Sequence, residues 1–244
     1  MSTAPEDVSF RFLRPFNKVP GGSLASSRSS LRRQVGAYFR EDTLQDKFVR
    51  SLAQEEAVPI KEVAESGEFF ARVRRHLRAP CVADLCCGHG LVGLLFALFE
   101  RRVERVVLID RSRPPLFDKV LAAAIRVGPW VADKVEYHQV SIEKATEFLP
   151  PGASVVATHA CGLLTDRCLD CALTVAGAVA VMPCCYPDRA CPGPPALRQR
   201  LGGPMAFDIH RTYRLEAAGY YVRWSAIPAA ITPMHRILIG TRKD

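Results

Sequence analysis

Three short segments hold the residues whose types and spacing suit chemistry. The first is Asp84-Leu-Cys86-Cys-Gly88-His-Gly90-Leu-Val-Gly93. An apolar run ends in a glycine turn, and an apolar stretch of helical length follows. That is the pattern of a strand, a tight turn and a helix. Glycines at 88 and 90 let the main chain lie close to a ligand, and Gly93 lets the helix approach the strand. The helix N-terminus offers unpaired N–H groups to an anion. Asp110 ends the next apolar run, Arg105-Val-Val-Leu-Ile109, at the distance where an acid meets a ribose. This context predicts a nucleoside-containing cofactor. Asp84 inside the strand suits one that carries an ammonium group, since a carboxylate there would repel a pyrophosphate. The other two segments are Thr158-His159-Ala-Cys161-Gly162-Leu-Leu-Thr165-Asp166 and Met182-Pro183-Cys184-Cys185-Tyr186. His159 at a strand end is a candidate proton acceptor. Thr165 and Asp166 fall in a first helical turn, where they suit capping.

The elements that position these residues alternate. Strands are predicted over 81–87, 105–110, 135–140, 154–158, 178–182, 220–227 and 235–240. Helices are predicted from about 90, over 116–127, near 142–149, near 163–175 and through about 206–217. A Pro/Gly-rich insert from Pro187 to Pro204 follows the fifth strand. Such alternation predicts an α/β fold with a seven-stranded, mainly parallel, Rossmann-like sheet and helices on both faces. Ligands then sit where strands stop, at Cys86–Gly90, Asp110–Ser112, Val140–Ile142, His159–Gly162 and Pro183–Tyr186.

Before this domain, residues 1–30 read as an extended or mobile arm, with Gly21-Gly22 and a serine-rich run. Its Phe10-Arg-Phe-Leu-Arg-Pro-Phe16 piece either straps the arm across the domain or stacks on bases. Residues 31–79 form an N-terminal helical extension, with Pro59 as a break. Arg72, Arg74, Arg75 and Arg78 read as a solvated helix face or as a nucleic-acid contact.

The chain has 244 residues, 48% of them apolar, and a formal net charge of +8, with +4 in residues 1–80 and +4 in the remainder. Its pI near 9.2 favours an anionic partner, nucleic acid foremost. The start lacks a basic segment followed by an apolar block, and no run suits a membrane span, so a cytoplasmic protein with no membrane partner is expected. Nine cysteines are then expected as free thiols. Cys168-Leu-Asp-Cys171, with Cys161, Cys184, Cys185 and Cys191, raises a zinc or iron–sulfur site. The stripe Leu164, Cys168, Cys171, Val175 reads instead as helix core, and no metal is expected.

The acidic-x-x-x-Gly-x-Gly segment resembles the first motif of class I methyltransferases. With Cys-Gly-x-x-Thr-Asp and Pro-Cys-Cys, residues 80–244 resemble a methyltransferase-domain family that includes a eukaryotic tRNA 2′-O-methyltransferase and a set of methyltransferase-like proteins. The tRNA enzyme's N-terminal zinc-finger segments have no counterpart here, since no cysteine precedes Cys81. The resemblance implies S-adenosyl-L-methionine as cofactor and an antiparallel last strand. It implies Asp84, Cys86, Gly88 and Gly90 at the methionine part, Asp110 at the ribose, and Ser141 and Ile142 at the adenine. His159, Cys161 and Tyr186 would face the acceptor, with His159 also beside the cofactor. RNA (tRNA or rRNA) is the expected substrate and protein the next. The alternatives are a silent methyltransferase-like binding module and, against Asp84 and the two closing strands, an NAD-dependent oxidoreductase.

Overall fold

Every residue from Cys81 to Leu85 is buried, as a strand with parallel neighbours on both sides requires. This strand, β1, is the centre of the sheet. The computed structural model describes residues 9–18, 24–187 and 192–243. The remaining strands are β2 (Arg105–Asp110), β3 (Val135–Gln139), β4 (Ser154–Ala157), β5 (Val179–Val181), β6 (Tyr220–Ala226) and β7 (Arg236–Arg242). The sheet order is β3-β2-β1-β4-β5-β7-β6. The first five strands are parallel, and β7 runs antiparallel to both β5 and β6. The order reverses between β1 and β4, so their carboxyl ends border the ligand crevice of such a sheet.

Strand residues alternate between two buried clusters, as the two-residue period demands. Val82, Val106, Leu108 and Val156 face one layer. Ala83, Leu85, Val107 and Val155 face the other, which holds α6 (Leu164–Val175). The first layer contains α2 (Leu44–Glu55), α3 (Ile60–Val73), α4 (Leu91–Phe99) and α5 (Leu116–Val127). The helical extension, which also includes the short α1 (Arg33–Gly36), therefore shares one core with the sheet. Phe70 of α3 packs edge-on against Phe96 of α4 at 5.0 Å. No described helix is long and apolar enough to cross a membrane.

The structure decides one open alternative and refines the sequence reading elsewhere. The described part of the arm is packed down: Phe10, Phe12, Leu13 and Phe16 are buried in the core, so the strapping alternative holds. Its Pro20–Ser23 piece lies outside the described residues. Arg72 is buried and paired with Glu68, and Arg74 pairs with Glu100, so only Arg75 and Arg78 of that cluster are exposed. The short helix expected near 142–149 is a 3-10 helix over Ile142–Phe148. The insert contains a helix, α7 (Pro195–Leu201), just before α8 (Gly203–Ala217); Asp188–Cys191 of that insert lie outside the described residues.

Glu68 is the joint between arm and domain. Its buried carboxylate accepts the N–H groups of Arg11, Phe12 and Leu13 at 2.8–2.9 Å as well as the Arg72 guanidinium. Removing one partner of a buried pair costs about 3–5 kcal/mol, because the other charge is left without compensation. Glu68→Ala is expected to lose stability of that order in a urea titration. Lys47→Ala, which breaks an exposed pair with Asp42, should lose less than about 1 kcal/mol.

Candidate functional site

The chain leaves β1 through Cys86, whose φ of +54° is a left-handed conformation uncommon for a side-chain-bearing residue. Gly88 follows at φ +52°, and a Cβ there would meet no atom within 4 Å. The turn thus presents bare backbone to open space. Asp110, at the end of β2, holds it: one carboxylate oxygen accepts the Gly88 N–H at 2.9 Å and the other the Ser112 N–H at 3.2 Å. The Tyr137 hydroxyl lies 2.9 Å from the carbonyls of both Gly88 and Ser112.

Asp84 points away from this surface. Its carboxylate is buried and accepts the Gly93 N–H at 2.9 Å, at the start of α4. A Cβ on Gly93 would fall 2.3 Å from Leu108 Cδ2 and 3.2 Å from Asp84 Cβ. Glycine at 93 therefore lets α4 sit against β1 and β2 closely enough for that hydrogen bond. Burial pushes the Asp84 carboxyl up to about 7.

A cavity of about 470 Å³ opens over the ends of β1 and β4, within the size range of small-molecule clefts. Cys86–His89 form one wall, Thr158 and His159 another, and Lys61, Glu62 and Glu65 of α3 a third, with Arg28 at the rim. His89 Nε2 lies 2.6 Å from Glu62, and that hydrogen bond lowers the Glu62 pKa. His89 Nδ1 is buried with no hydrogen-bond partner among the described residues. His159 Nε2 lies 3.7 Å from Glu65, and burial lowers the His159 pKa below its usual value. Two carboxylates beside a lysine suit a ligand that carries both an ammonium and a carboxylate group. Together with the bare glycine turn and the orphaned His89 nitrogen, these residues fit the methionine end of S-adenosylmethionine.

The expected site residues divide accordingly. Cys86, Gly88 and His159 line the cavity, while Asp84, Gly90, Asp110, Ser141, Ile142, Cys161 and Tyr186 do not. Asp110 braces the turn through both carboxylate oxygens, and Ser141 and Ile142 stand partly exposed where β3 ends. The Tyr186 hydroxyl donates to the buried Asp208 at 2.8 Å, so it is turned away from an acceptor. Thr165 and Asp166 do not cap α6. The Thr165 hydroxyl donates to the Ala160 carbonyl at 2.6 Å, and Asp166 takes a two-pronged contact from Arg211. The sequence reading missed Glu62, Glu65, His89, Asp208 and Arg211. A signal was available for the first two: they stand three residues apart, as neighbours on one face of a helix.

Asp84 makes stability depend on pH. Its folded pKa lies above the ordinary value of 3.8, at about 7. The folded state therefore binds more protons across that interval, and stability falls as pH rises through it. Asp84→Asn keeps an acceptor for Gly93 and removes the ionisation. Denaturation across this interval should show the variant gaining on the parent as pH rises; a constant difference would refute the assignment.

Comparison with known proteins agrees with this geometry. A family model described as a methyltransferase domain matches residues 59–190, just over half of the chain. A Xenopus laevis glutathione S-transferase C-terminal domain-containing protein is 30% identical over 105 residues, which are 43% of this chain and 16% of that protein. The matched stretch thus spans about a sixth of that relative. Among solved structures, the fold is similar to a candidate rRNA-methylase from Clostridium thermocellum, at 13% identity and TM-score 0.49 over 73% of this chain and 96% of that one. It is also similar to an Aquifex aeolicus SAM-dependent methyltransferase, at 16% identity and TM-score 0.45 over 73% and 92%. The Methanococcus jannaschii fibrillarin pre-rRNA processing protein gives 13% and 0.45 over 68% and 67%. The match covers the β1–turn–α4 unit and the strands around it, and the conclusion is plain: the chain belongs to the methyltransferase-domain family.

Proposed function

We propose that the protein methylates an RNA, with His159 taking the proton from the acceptor. His159 carries this reading. It follows the end of β4, lines the cavity together with the glycine turn, and burial lowers its pKa, which favours the neutral imidazole. A neutral imidazole can accept a proton from a hydroxyl or amine. When bound, S-adenosylmethionine supplies a methyl group on a positive sulfur, already activated for displacement. The chain's own work is then alignment and proton removal. Glu62, Glu65 and His89 Nδ1 would hold the ammonium group and Lys61 the carboxylate. The Gly88 backbone would lie against the chain of the ligand, Asp110 would meet the ribose hydroxyls, and Ser141 and Ile142 would flank the adenine. Asp84 and Gly90 would shape the turn from below. Cys161 would border the acceptor, and Tyr186 would position its loop.

The RNA assignment is supported by the net charge of +8 and by exposed Arg75, Arg78, Arg111 and Arg200, which suit a polyanion. The reading takes tRNA or rRNA as the substrate, in the cytoplasm. The carboxylates Glu62 and Glu65 favour a second reading, a protein amine, if they face the acceptor instead of the methionine ammonium.

Incubation with labelled S-adenosylmethionine, total RNA and total protein separates the two: label in RNA supports the proposal and label confined to protein overturns it. His159→Ala should lower kcat about 100- to 10,000-fold with cofactor binding intact by calorimetry. The parent's kcat should rise with pH through a pKa below the ordinary 6.5 of histidine. Asp110→Ala should weaken the cofactor itself.

A further inference from the structure

Three thiols from two distant stretches meet beside the cavity. Cys161 follows the end of β4, and Cys184 and Cys185 follow the end of β5. Their sulfurs all lie within 4.8 Å of one another, and the Cys161 and Cys184 sulfurs are 3.2 Å apart. Three thiolates sharing a tetrahedral zinc, each at about 2.3 Å, sit about 3.8 Å from one another. The observed spacing brackets that value, so small side-chain rotations complete the site.

We propose that Cys161, Cys184 and Cys185 form a binding site for a thiophilic divalent cation, zinc foremost. The two loops that carry the thiols are held by a rigid outer shell. The Thr165 hydroxyl ties the Ala160 carbonyl. The buried Arg211 joins the Gly162 carbonyl to Asp166 and Asp208. Asp208 in turn holds Tyr186, the residue after Cys185, and accepts from Arg236 at 2.9 Å. Outer contacts of this kind fix ligand direction in metal sites. Cys161 and Cys185 are exposed and Cys184 is half-buried, so a fourth coordination position faces solvent, where water completes the tetrahedron. Binding replaces up to three S–H bonds by three metal–sulfur bonds, and the protons leave to solvent. The resulting site carries one negative charge, and it lies just ahead of the N-terminus of α6 at Leu164, the end of the helix dipole that favours an anion. The Thr-Asp and Tyr positions of the sequence motifs acquire a reason on this basis: they build the frame for the thiols.

The test uses the full chain, reduced, desalted and kept free of oxygen, with cadmium and zinc as separate probes. About one cadmium per chain is expected, with its ultraviolet thiolate-to-metal band, and zinc should displace it. Cys161→Ser and Cys185→Ser alter exposed positions and should fold, as circular dichroism would show. Each should weaken binding at least about tenfold, by analogy with the loss seen even for outer-shell changes. Cys171→Ala, on α6 and outside the cluster, should leave the stoichiometry unchanged. Absence of the band overturns the proposal. So does a band of full intensity in both serine variants, or isolation of the chain with a Cys161–Cys184 disulfide and no metal.

Discussion

A guanidinium cannot be left alone in a dry interior, and Arg211 has no exposed surface at all. That constraint organises the loops at the ends of β4 and β5. Asp166 must reach it from α6 and Asp208 from within its own helix, and the Tyr186 ring lies under its face at 5.6 Å. Arg236 of β7 closes the set on Asp208. The ends of β4 and β5 are thus fastened to α8 and to the antiparallel strand that distinguishes this sheet. Replacing any one member would strand a charge among the others, so the loops that carry His159 and the three thiols have little freedom to drift.

The glycine turn after β1 is organised by backbone more than by charge. Gly93 brings α4 against the sheet, Asp84 locks the first turn of that helix, and Asp110 fixes the loop between them. A side chain at 93 would push α4 outward and cut the Asp84 bond, so the close approach comes first and the electrostatics follow from it.

Local pattern made the β1–turn–α4 unit and the alternating elements legible, because strand and helix periods are written within a few residues of one another. What was not legible lay across long separations. His89 meets Glu62 from 27 positions away and Arg211 meets Asp166 from 45. Nothing local marks either pair. Asp84 had the expected type and place, but its direction is set by an amide nine residues on. The arginine cluster misled because charge signals surface only until a buried acid stands one turn away, as Glu68 does for Arg72. α7 was hidden by the prolines and glycines around it, although two prolines at its start are compatible with a first helical turn.

The Glu68 joint also bears on how a ligand comes and goes. α3 supplies the acidic wall of the cavity, yet the same helix receives Phe12 against Gly67, where a Cβ would fall 2.4 Å from the ring, and it is stitched to the arm through three amides. Swinging α3 aside would tear open the continuous core behind it, a sub-global unfolding event and not a hinge motion. The acidic wall is therefore part of the core, and a ligand meets Glu62 and Glu65 already in place.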